Sequence, residues 1–230
     1  MKRYRILSIV MVMFFLAAAG CNVNKSIRSR DGETLDGGTK TVNGSIHIAN
    51  NCTVTTSCST VNGNITVGSD CKMDSLSGVN SSVDVGANTT VDGRIATVNG
   101  SISLAEKVEV KEDVKSVNGA IELNKGCIVE EDVKTVNGNI TLIGATVKQN
   151  VELNHGDVLL RDGSIIEGDI IVRENHGFNA NPKSYEIRIT DNSVVKGDIK
   201  VEDDDIVIKV ILSGNGKVMG RVINAKTIQE

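Results

Sequence analysis

The sequence has no tryptophan, two tyrosines, three phenylalanines and one proline, Pro182. An ordinary globular core takes much of its buried area from aromatic rings. This chain must build its core from valine, isoleucine and leucine, which favours pleated strands over helices. Tyr4, Phe14 and Phe15 all precede Cys21, so Phe178 and Tyr185 are the aromatic rings left beyond it. Two rings make a poor platform for gripping sugars. The three histidines, His47, His155 and His176, are scattered, and no Cys/His spacing matches a metal site. Excess positive charge is also missing. The formal net charge is −4, and it becomes −7 if Lys2, Arg3 and Arg5 are removed with a leader, so a nucleic-acid-binding face is not expected. There is no Ser/His/Asp set, no paired acids suited to a cleft and no phosphate-cradling glycine loop. An enzyme is not expected, nor is a cofactor.

A repeat dominates what is present. Val42-Asn43-Gly44 recurs as Val61-Asn62-Gly63, Val98-Asn99-Gly100, Val117-Asn118-Gly119 and Val136-Asn137-Gly138, with Val79-Asn80-Ser81 and Asn154-His155-Gly156 as altered copies. From each copy to the next the position number rises by 19 or 18, a nearly constant period. After each copy an alternating segment follows, such as Ile46/Ile48, Ile65/Val67 or Ile102/Leu104. Period-two alternation marks a strand with one buried face. A second short segment carries Val54, Met73, Val91, Val110 and Val129, and a third carries Leu76, Ile95, Val114 and Val133. Three short strands per repeat describe one coil of an all-β, single-stranded β-solenoid, with a right-handed coil expected. One coil cannot bury its own apolar face; stacking coils at about 4.8 Å makes a continuous core.

Stacking turns equivalent residues into columns. Asn43, Asn62, Asn80, Asn99, Asn118 and Asn137 share one, where side-chain amides can form a hydrogen-bond ladder; a row of sugar-binding amides is the alternative. Asp113, Asp132, Asn150 and Asp169 share another, and Lys115 and Lys134 can offset its charge. A calcium row is the alternative reading there. Cys52 and Cys71 stand one repeat period apart in one column, so a disulfide between them is a candidate; Cys58 is another possible partner, and Cys127 lies three coils beyond Cys71.

The ends differ. Lys2, Arg3 and Arg5 followed by an apolar run to Ala19 form an export signal over residues 1–20. The run Leu16-Ala17-Ala18-Ala19-Gly20-Cys21 resembles a lipobox, with Ala18 standing where lipoboxes usually carry leucine. That resemblance implies lipidation of Cys21 and a bacterial membrane anchor. Asn22 is not the aspartate typical of inner-membrane retention, which points to the outer membrane. Residues 21–40 then read as a tether, 41–172 as the solenoid with seven coils, 173–185 as an excursion, and 186–230 as further coils and a cap. The excursion holds His176, Phe178 and Tyr185 and could contact a partner. Asp203, Asp204 and Asp205 are expected in an exposed turn.

The Val-Asn-Gly units and the later Gly-Asp-Ile coils, such as Gly168-Asp169-Ile170 and Gly197-Asp198-Ile199, resemble bactofilin-like, polymer-forming β-solenoid proteins. They are equally similar to adhesin-type β-solenoids of the bacterial envelope. The resemblance covers about residues 41–222 and implies a scaffold or adhesin without catalytic residues. The export signal departs from the cytoplasmic bactofilin pattern, so self-association is the property that carries over. Three functions follow: a structural, self-associating or adhesive envelope lipoprotein; a binding module using residues 173–185; and a β-helix enzyme acting on polysaccharide, the least supported.

Overall fold

A computed structural model describes residues 23–173, 183–202 and 206–230. Its strands wind into three parallel sheets of 11, 10 and 10 strands, and every strand pairs with its equivalent one coil away. About ten coils stack, spanning roughly 48 Å at the usual strand spacing. The first face is built of strands such as Ile46–Ile48, the second of Thr53–Val54, the third of Cys58–Asn62. The register is strict: Ile46 pairs Ile65, Val83 pairs Ile102, and Ile95 pairs Val114. A one-residue slip would turn every aliphatic side chain outward, so the buried face itself enforces the register.

Inward positions form a single dry spine. Ile46, Ile65, Ile102, Ile121 and Ile140 are buried on the first face, Val91, Val110 and Val129 on the second, and Leu76, Ile95 and Val114 on the third. Because the strands are two to five residues long in most coils, each contributes only one or two core side chains. Continuity along the stack supplies the burial that no single coil provides.

Each coil turns from the first face to the second through a residue with positive φ. Asn51, Asp70, Asn88 and Lys107 hold this position at φ 55–59°, and Gly126 and Gly144 hold it at 77° and 60°. Gly adopts the left-handed region freely and Asn and Asp tolerate it, whereas lysine enters it at a steric cost. We therefore expect Lys107→Gly to raise stability by about 1 kcal/mol, read as a shift of the urea midpoint without a change in slope.

Two expected boundaries move. The solenoid begins inside the segment read as a tether: Ile27–Arg28 pairs with the first face of the next coil, and Thr34–Leu35 with its second. Ile27 and Leu35 are half-buried and pack on the core. The excursion is also shorter than expected, because Lys183–Ile189 is a strand that contains Tyr185. Cys21, His176, Phe178, Pro182 and Asp203 to Asp205 lie outside the described residues.

Candidate functional site

With a filled interior, the chemistry that can meet a partner lies on the faces, corners and ends. The corner from third to first face carries the asparagine ladder. Each Nδ2 donates to Oδ1 one coil below, from Asn62 to Asn43, Asn80 to Asn62, Asn99 to Asn80, Asn118 to Asn99 and Asn137 to Asn118, at 2.8–2.9 Å. Asn24 extends it downward, accepting from Asn43 at 2.7 Å. The ladder ties the amides to one another along the rod as a structural seam, with the asparagines themselves exposed. The next glycine in each motif is demanded by crowding: a Cβ on Gly119 would lie 2.0 Å from the Gly100 carbonyl oxygen.

A second seam lies beneath. Thr41, Thr60, Thr97, Ser116 and Thr135 are buried among aliphatic neighbours. Their hydroxyls donate to carbonyls of the coil below, as from Thr60 to Gly44 at 2.8 Å and from Thr97 to Ser81 at 2.6 Å. The altered coil exchanges the two sizes. Gly78 stands in the threonine column, and Ser81, in the glycine column, turns its side chain inward into the vacated space.

The acidic column is neutralised locally. Asp113, Asp132, Asn150, Asp169 and Asp198 each accept the backbone N–H of the residue one coil above. Lys115 pairs with Asp113, Lys134 with Asp132 and Glu152, Arg173 with Glu152 and Glu202, and Lys200 with Asp169 and Asp198. Among the described residues no group of three or more His, Cys, Asp or Glu side chains is placed to hold a metal ion. Lys200 beside Asp169 and the Arg221 N–H above Asp198 hold these carboxyls below their usual range. For Asp132, burial acts in the opposite direction but is outweighed by Lys134 and the Asn150 N–H. A lowered folded-state pKa adds stability above the unfolded value, and that stability is lost as pH falls through the folded value. The melting temperature should stay level from about pH 5 upward and drop below about pH 4. A melt that is unchanged at low pH would contradict this pairing.

The candidate disulfide is not formed: Cys52, Cys71 and Cys127 of one column, and Cys58 outside it, are all free and buried. Stacked in register, Cys52 and Cys71 have parallel rather than converging Cα–Cβ bonds, so their Cβ atoms stay near the coil spacing, wider than most disulfides accept. Each thiol instead donates to a carbonyl below: Cys52 to Arg30, Cys71 to Ala49 (both at 3.1 Å) and Cys127 to Ala105 at 2.8 Å. Thr89 holds the same column and donates to Gly68. Burial pushes the Cys58 thiol up to about 12, and raises Cys71 and Cys127 too. These thiols are protonated at neutral pH and poor nucleophiles. A thiol reagent at pH 8 should label none of the four in the folded protein and all four in urea.

Tyr185 does not sit in a free loop. It is half-buried against the core, its ring 5.9 Å from that of His155, which takes the asparagine's place in the altered motif. Around it the rod widens: Lys183–Ile189 pairs with Ile206–Leu212 over seven residues, where first-face strands lower in the stack have two to four.

The outward surface of the third face is a feature that sequence reasoning missed. Val42, Val61, Val79, Val98, Val117 and Val136, the first residues of the repeated motif, point away from the core and are half-buried. The signal was available: in the residue just before it, the buried threonine already occupies the inward place, so alternation sends the valine out.

Both ends of the stack are open among the described residues. The lowest strands are Ile27–Arg28, Thr34–Leu35 and Lys40–Asn43, and the highest are Lys217–Val218, Val222–Ile223 and Lys226–Gln229; each pairs on one side only. No described helix is long and apolar enough to cross a membrane. No family model, curated protein or solved structure matches the chain.

Proposed function

We infer that this protein is a non-catalytic rod of the bacterial envelope, anchored through a lipid on Cys21 and acting by self-association or adhesion. The supporting observation is the architecture of the ends. Among the described residues about ten stacked coils present unpaired strand edges above and below, and such edges template pairing with further strands. Along the rod, polar columns are tied to one another by hydrogen bonds and ion pairs, so the shape rather than a reactive group is what a partner meets. The export signal and the lipobox-like segment supply the envelope location, and the resemblance to polymer-forming and adhesin-type solenoids supplies the role.

The anchor is tested by palmitate labelling of cells expressing the chain. Incorporation lost in Cys21→Ser supports it; equal incorporation rejects it. The rod is tested by electron microscopy of the purified protein over a concentration series. Filaments or surface-bound rods about as narrow as one solenoid support the reading. Turnover of an envelope polysaccharide by the same preparation would replace it with an enzyme.

A further inference from the structure

We propose that the valine stripe of the third face is the seam of an antiparallel, two-fold pair formed with a second copy of this chain. The inference concerns the side of the rod and stands apart from its open ends.

The stripe is not accounted for by the fold. Threonine or serine fills the inward position beside five of the six valines, and Gly78 with the Ser81 side chain fills it beside Val79. The core would be as dry without them. On the first face the outward positions of the same coils are polar, as with His47, Thr66, Asp84, Ser103 and Glu122, and on the second face they are polar from Thr53 to Glu109 before Ile128. Six apolar side chains at about 4.8 Å intervals run along one line for roughly 24 Å. Beside them a second outward column reads Lys40, Ser59, Ser77, Ala96, Lys115, Lys134 and Glu152 from the first coil to the seventh. It is small and uncharged in the second to fourth coils, which lets another sheet approach closely there.

The occupant follows from self-complementarity. A partner rod needs a matching apolar stripe with the same spacing, and a second copy has it. A two-fold axis crossing the stripe keeps each column over itself and reverses the coil order. With the axis at the fourth coil, Val98 meets Val98, Val79 meets Val117 and Val61 meets Val136. Lys40 then meets Glu152, whose carboxylate also carries Lys134 and Arg173 of its own rod, once at each end, and Ser77 and Ser59 meet Lys115 and Lys134. Moving the axis half a coil down would match Val42 with Val136, where the first register sets Val42 against Asn154, but it also sets Lys40 against Lys134, like charge on like charge. Charge therefore selects the first register over the second. A contact this narrow belongs to the weak, reversible class of interfaces.

The test is sedimentation velocity of the full chain in detergent over a concentration series at low salt. The unmodified chain should show a reversible dimer. Ser59→Glu, a polar position facing Lys134, should tighten the dimer roughly five-fold, and Ser59→Lys should weaken it by a similar factor. Val79→Asp and Val117→Lys should each abolish the dimer, and together restore it; Val79→Asp with Val98→Lys should not. Met219→Glu, at an open end, should leave the dimer unchanged. A chain that stays monomeric throughout overturns the proposal, as does a dimer indifferent to Ser59, or one lost only in Met219→Glu. Filaments that persist alongside any of those results leave the envelope-rod reading standing and remove only the lateral pair.

Discussion

Gly119→Ala should cost about 3 kcal/mol or more, an effect otherwise reserved for the loss of large core side chains. The added methyl would stand 2.0 Å from the Gly100 carbonyl oxygen, 2.5 Å from its carbon and 3.0 Å from the Ser101 nitrogen. These are backbone atoms of the coil below and cannot rotate aside. Either the two coils separate at this corner, breaking the neighbouring asparagine bond of 2.8 Å from Asn118 to Asn99, or the turn distorts. Gly100 and Gly138 meet the same crowding, at 2.1 and 2.2 Å, so alanine at either should act alike. Gly163, with nothing within 4 Å of its would-be Cβ but φ of 76°, tests the other cause: alanine there should cost only the strain of a left-handed residue, about 1–2 kcal/mol. Urea unfolding of the four variants separates crowding from conformation. Equal costs at all four would refute the crowding account.

Gly78→Thr should be nearly as damaging, and a second substitution should repair it. Threonine is what the column carries in the coils on either side, as Thr60 and Thr97. In this coil the place is taken: a Cβ on Gly78 would meet the Ser81 Cβ at 2.3 Å and its hydroxyl at 2.6 Å. Forcing both in overpacks a buried site, at a cost of about 1–3 kcal/mol. Ser81→Gly alone empties the space and removes a buried side chain, which also destabilises. The pair Gly78→Thr with Ser81→Gly restores the arrangement of Thr97 and Gly100 and should approach the stability of the unmodified chain. The coupling energy should fall at the upper end of the range for residues in contact, about 2–3 kcal/mol. Additive costs would mean that the two positions do not share one space.

The fold was legible because a β-solenoid writes its period into the sequence. A nearly constant step between asparagines fixes which residues stack, and alternation fixes which face inward. The first coil was missed because its inward places hold Thr39 and Thr41 with only Ile27 and Leu35 as aliphatics. Its periodicity was present all the same: Asn24, Ile27 and Leu35 each lie one period before Asn43, Ile46 and Val54. The cysteine column was placed correctly, while the state of its thiols stayed open. Spacing along a chain gives proximity, whereas a disulfide depends on the direction of two Cα–Cβ bonds, which stacking makes parallel. The valines of the motif were noticed as markers without their orientation, since a repeated valine suggests core until the neighbouring threonine is assigned inward. The role of the outer surface was the least legible part, because it depends on what a second molecule brings to it.

The claim beneath all of this is that distance along the rod grows by one strand spacing per coil. Spin labels on the outward third-face column measure it directly. In a Cys21→Ser background, where the four remaining thiols are buried, labels would be placed at Ser59 and, in turn, at Lys134 and Lys200. Pulsed dipolar spectroscopy should give separations near 19 and 34 Å, for four and seven coils at about 4.8 Å each. Lys200 nearer to Ser59 than Lys134 is would mean that the chain folds back on itself and does not wind.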